Sequence, residues 1–213
     1  MDFRHDGSRV ILAEGKDDCH VMLALCQHYR IPENFGFYDC GSDDGVLKKM
    51  SGLIAGSQPV ETIGVVLDAD SPDLQGKWNA IKGRLEKEDY TIPAIPNPAG
   101  TILRDRNKPG SKPSIGIWLM PDNDLNGMLE DFCGQLAAPT AIEYAQNCVH
   151  QAKKNGFAAF IDNHESKAVL HTFLAWQDKP GMPLGLAITA RALNPNQPVA
   201  ERFVSFLKSL FYP

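Results

Sequence analysis

Apolar and polar positions alternate between two periods along the first 134 residues. Arg9–Ala13 (RVILA) is a short, continuously apolar run, the signature of a strand covered on both faces. It gives way at Glu14-Gly15 to a helical pattern reaching about Tyr29. There Val21, Leu25 and Tyr29 form one stripe with Met22 and Cys26 beside it, and Asp17 or Asp18 can cap the start. FGFYD (35–39) predicts a second strand, and the loop GSDDG leads into a helix, VLKKMSGLIAG, that Gly56 ends. TIGVVLD predicts a third strand ending at Asp68. SPDLQGKWNAIKGRLEKE then predicts a helix with Pro72 near its first turn and Trp78, Ile81 and Leu85 on its buried face. Residues 90–113 break the pattern with Pro93, Pro96, Pro98, Pro109, Pro113 and the polar run RDRNKPGSK, and they predict a loop or hairpin. SIGIWLMP (114–121) predicts a fourth buried strand, followed by DNDLNGMLEDF, which starts a helix. After Pro139 the pattern is helical: TAIEYAQNCVHQAKKNG, SKAVLHTFLAWQ and VAERFVSFLKSLF.

Strands alternating with helices predict an α/β protein with a mainly parallel central sheet of about four strands and helices on both faces. The helical C-terminal part either packs on an α/β core of residues 1–138 as an extension, 139–213, or belongs to one single domain. In such sheets ligands bind beyond the carboxyl ends of the strands. The first strand ends in Glu14, the third in Asp68-Ala-Asp70, and the fourth in Asp122 and Asp124. Acidic side chains are therefore expected to converge on one edge.

Composition narrows the chemistry. The 213 residues carry a net charge of −5, which argues against broad, non-specific nucleic-acid binding but not against a small phosphate site served by metal ions. The five Cys include no CxxC pair, so neither a disulfide framework nor a thiolate zinc site is expected. No signal peptide and no apolar stretch near the ~18 residues of a membrane span is present, and the expectation is a cytoplasmic protein without a membrane partner. GKDD is not a P-loop, and the six His show no HxH or HExxH spacing. Trp118 and Trp176 are read as core, and Cys19 as packing.

Carboxylates gathered at one sheet edge repel one another unless something neutralises them, and a hard divalent cation such as Mg2+ or Mn2+ does so with oxygen ligands. Taken singly, each acidic residue has a plainer reading as a turn former, a helix cap or a solvated loop residue. Their joint placement at three strand ends is what points to a site. His164, Lys167 and His171 lie at the start of a late helix, where Lys167 either belongs to a solvated face or contacts a phosphate.

VILAEGKDD, with Glu14, and GVVLDAD, with Asp68 and Asp70, resemble the Toprim family of topoisomerases, primases and small nucleases. The Glu14-x-x-x-Asp18 spacing is similar to the Toprim domain of overcoming-lysogenization-defect nucleases. The longer segments MPDNDLNGMLEDF and KAVLHTFLAWQDKPGMPLG resemble an uncharacterised prokaryotic Toprim-like family. The resemblance implies a Toprim-like Rossmannoid fold, with Glu14 as general acid or base and Asp68 and Asp70 on Mg2+. Asp18, Asp122, Glu130 and Asp131 are the candidates for a second metal. The implied activity is nuclease-like phosphodiester chemistry on nucleic acid. A non-catalytic metal- or nucleotide-binding regulatory module is the alternative. A haloacid-dehalogenase-like phosphatase ranks below both, because its Asp-x-Asp follows the first core strand. The oligomeric state stays open, a homodimer included.

Overall fold

The computed structural model describes residues 7–57, 60–70, 72–104 and 110–213. Five strands form one sheet in the order β2-β1-β3-β5-β4: β1 (Arg9–Ala13), β2 (Gly36–Asp39), β3 (Thr62–Asp68), β4 (Thr101–Leu103) and β5 (Ser114–Met120). Four are parallel, while β4 pairs antiparallel with β5 at the edge. This short edge strand lies in the proline-rich stretch read as a loop or hairpin. Residues 105–109 of the polar run RDRNKPGSK lie outside the described residues.

Side chains of a strand alternate between faces, and the core divides accordingly. Ile11, Ala13, Val66, Trp118 and Met120 face one layer, and Val10, Leu12, Ile63, Val65, Leu67 and Ile117 face the other. The second layer is covered by α2 (Asp43–Ala55) and α3 (Leu74–Leu85), whose Met50, Trp78, Ile81 and Leu85 are buried. The first is covered by α1 (Lys16–His28), α4 (Leu129–Leu136) and α8 (Pro198–Phe211), while α7 (Leu184–Thr189) packs on α1, α6 (Glu165–Leu174) on α4, and α5 (Pro139–Lys154) mainly on α6. The chain's last helix thus lies on the middle of the sheet. It fits there because Gly64 and Gly116 are cross-strand partners, and a Cβ at Gly116 would stand 2.4 Å from Leu210 Cδ2.

Trp118 is fully buried, edge-on to Phe203 with ring centroids 5.1 Å apart. Trp176 corrects the expectation of a core residue: it is 48% exposed and leans on Tyr144, itself on the surface. It lies one residue beyond the C-cap of α6, past the buried stripe of Leu170, Phe173 and Leu174. All five cysteines are free, and burial pushes the Cys19 thiol up to about 12, which makes it a packing group at neutral pH. Among the described residues no helix is long and apolar enough to cross a membrane.

Candidate functional site

The strand order reverses between β1 and β3: β2 lies on one side of β1, and β3, β5 and β4 lie on the other. A crevice opens at the carboxyl ends of strands where that happens. Glu14 leaves β1 and Asp68 ends β3 at this point, and the carboxylate Glu14 Oε1 accepts the backbone N–H of Asp68 at 2.9 Å. Asp18 folds back in the first turn of α1 so that its Oδ2 accepts the N–H of Gly15 at 3.1 Å. Asp68 Oδ1 accepts the N–H of Leu129 at 2.9 Å, from the first turn of α4. That contact is set by a bridge between Ala69 and Gly127, whose φ of +156° suits glycine.

Each of the three carboxylates thus ties one oxygen to a backbone N–H and leaves the other over. The leftover Asp18 Oδ1 is buried without a hydrogen-bond partner. Such an atom is costly in a folded protein and calls for a proton or a cation. The electrostatics agree. Burial, then the charges of Asp18, Glu14, Asp70 and Glu130, raises the Asp68 carboxyl to about 8. Burial and then Glu14 raise Asp18 to about 7. Burial also raises Glu14, opposed by the N–H of Asp68 and by the Lys77 ammonium.

Glu130, on the buried face of α4, adds a further carboxylate and draws in Lys167 of α6, with 3.2 Å between Oε1 and Nζ. Five of the acidic candidates, Glu14, Asp18, Asp68, Asp70 and Glu130, therefore act on one another, and Lys167 reaches their edge. Asp122 has another job: its Oδ1 accepts the N–H of Asp124 and of Leu125, closing the turn after β5. Asp131 caps α4 through the N–H of Met128 and accepts the hydroxyl of Ser166.

The donor set contains only oxygen, which suits a hard cation rather than zinc or copper. Among the described residues no group of three or more His, Cys, Asp and Glu stands ready to hold an ion. The carboxylates would have to draw together around one, and the unpartnered Asp18 Oδ1 is the atom free to do so. The model for the family described as Protein of unknown function (DUF3226) matches residues 8–212. The chain belongs to this family. No curated protein and no solved structure matches it.

The pattern of acidic strand ends did not reveal one participant of this candidate site. Lys77 of α3 is 4% exposed, and its ammonium donates to Asp43 Oδ2 at 2.8 Å while acting on Glu14. It falls on the same stripe as Trp78, Ile81 and Leu85. A lysine on an apolar stripe was the available signal. Outside the carboxylate group, Asn123 in the turn after β5 is 2% exposed, accepts the N–H of Leu119 at 2.7 Å and leaves its buried Nδ2 without a partner.

Proposed function

We propose that this protein carries out Mg2+- or Mn2+-dependent phosphodiester chemistry on nucleic acid, as the nuclease-like Toprim proteins that its motifs resemble do. The observation carrying this reading is the buried, unpartnered Asp18 Oδ1 amid the carboxylates of Glu14, Asp68, Asp70 and Glu130. Bound divalent cation would supply the positive charge that a phosphate under attack requires. Asp18, Asp68, Asp70 and Glu130 are the ligands in this scheme. Glu14 has one oxygen fixed on the Asp68 N–H, so the other is oriented to take or give a proton. Lys167 is exposed and held by Glu130, and its ammonium meets the phosphate.

Calorimetric titration with Mn2+ and Mg2+ tests the ligand set, and assays on single-stranded and duplex DNA, RNA and a phosphomonoester test the reaction. Asp70→Asn should weaken metal binding, because it removes charge from the ligand set. Glu14→Gln should keep metal affinity and slow turnover roughly 10²–10⁴-fold. Absence of metal binding in the intact chain sinks the proposal. The net charge of −5 favours a second reading, a metal- or nucleotide-binding regulatory module, since few cations are left for a long phosphate backbone. Metal binding with no turnover on any of these substrates selects it.

A further inference from the structure

A cavity of about 400 Å³ lies between α4, α5 and α6, a size ordinary for a small-molecule site. Of its lining residues only Glu130, whose charge acts on Asp68 and Asp18, belongs to the ligand set above, and it marks the end of the cavity nearest those carboxylates. Ile142 of α5 and Val169 and Leu170 of α6 make its walls apolar. The α4 side includes Gly134, in the last turn of that helix. A Cβ added there would meet nothing within 4 Å, and its φ lies outside the left-handed region. Neither packing nor backbone conformation requires glycine at this position, and glycine is a poor helix former. What the missing side chain does is leave the α4 wall flat and the cavity open.

The charges around the cavity are matched. Glu130 pairs with Lys167 at 3.2 Å, and Glu165 pairs with His150 and Lys153, each at 2.9 Å. Asp131 is held by Ser166 and the N–H of Met128. A free anion finds no unpaired cation among these lining groups. At the rim, the side-chain amides of Gln135 and Gln146 have no hydrogen-bond partner among the described residues. An amide offers both donors and an acceptor. Flat apolar walls with an amide rim suit a neutral planar ring that carries donors and acceptors on its edge.

We propose that this cavity is the base-binding subsite of the carboxylate site, taking the heterocyclic base of a nucleotide whose phosphate lies at the Glu130 end. The direction of the phosphate rests on the phosphodiester reading above; the base pocket itself does not need the metal. The ring lies along the Gly134 backbone against Val169 and Leu170, and the amides of Gln135 and Gln146 meet its polar edge.

Nucleosides carry no phosphate, so they probe the cavity independently of any ion. Adenosine, guanosine, cytidine and uridine are titrated by saturation-transfer NMR, with Mn2+ titrated separately by calorimetry. Gly134→Leu fills the cavity from α4 and Val169→Phe fills it from α6, so the test survives if one variant fails to fold. The expected result is nucleoside binding weakened at least tenfold in each folded filled variant, with Mn2+ affinity within twofold of the parent. Nucleosides that do not bind, or that bind the filled variants equally well, overturn the assignment even if Mn2+ binds. Binding of nucleosides lost on filling, without Mn2+ binding, keeps the cavity and removes the metal reading.

Discussion

Between about pH 4 and pH 7, Asp18 and Asp68 are the carboxyls expected to hold protons in the folded protein that they release on unfolding. Their ordinary value is 3.8, and burial with neighbouring carboxylates raises them to about 7 and about 8. A carboxyl raised on folding contributes stability below its unfolded value and loses it as pH climbs through the folded value. The metal-free protein should therefore lose stability between pH 4 and 8 as this coupled pair ionises, seen as a Tm that falls with rising pH. Thermal unfolding in a chelator at pH 5.5 and pH 8 reads this directly. Asp18→Asn should flatten the dependence and raise Tm at pH 8. Added Mg2+ should do the same to the parent protein. A pH-independent Tm in the chelator would show that these carboxyls are ordinary acids.

At the scale of elements, local capping and close packing make separate contributions. Asp73 is the N-cap of α3, its carboxylate accepting the N–H of Gly76 at 2.7 Å. Asp73→Ala should cost about 1 kcal/mol, seen as a Tm lower by about 2–4 °C. Gly116 is a different case, because the space above it belongs to Leu210 and Phe206 of α8. Gly116→Val should cost about 1–3 kcal/mol by overpacking, and adding Leu210→Ala should recover part of that loss in a double-mutant cycle. Strict additivity of the two substitutions would mean that the helix and the strand do not meet there.

Over the whole molecule, the last helix belongs to the core. Phe203, Phe206, Leu207, Leu210 and Phe211 of α8 are each at most 2% exposed. At roughly 1.5–3 kcal/mol for each buried side chain, together they contribute about as much as the ~5–15 kcal/mol that stabilises an ordinary domain. A chain cut after residue 197 should show no cooperative thermal transition. A cooperative transition near the parent's Tm would mark residues 198–213 as an appendage.

What the sequence determined by itself was local. Arg9–Ala13 and Thr62–Asp68 read as strands end to end, because burial on both faces leaves a continuous apolar run that needs no partner to be recognised. The acidic residues after β1 and β3 were legible for the same reason, since a parallel sheet places both strand ends on one edge. Three-residue β4 and six-residue α7 were not legible, being too short to establish a period. Tertiary structure alone decided the rest. Strand order put Glu14 beside Asp68, the Ala69–Gly127 bridge brought α4 and Glu130 to them, and burial rather than residue type set their charge. Lys77 shows the same division: the side chain is written in the sequence, but its neighbours Asp43 and Glu14 come from distant segments. A carboxylate's proton affinity depends on what surrounds it in space, and those surroundings exist only once the sheet has closed.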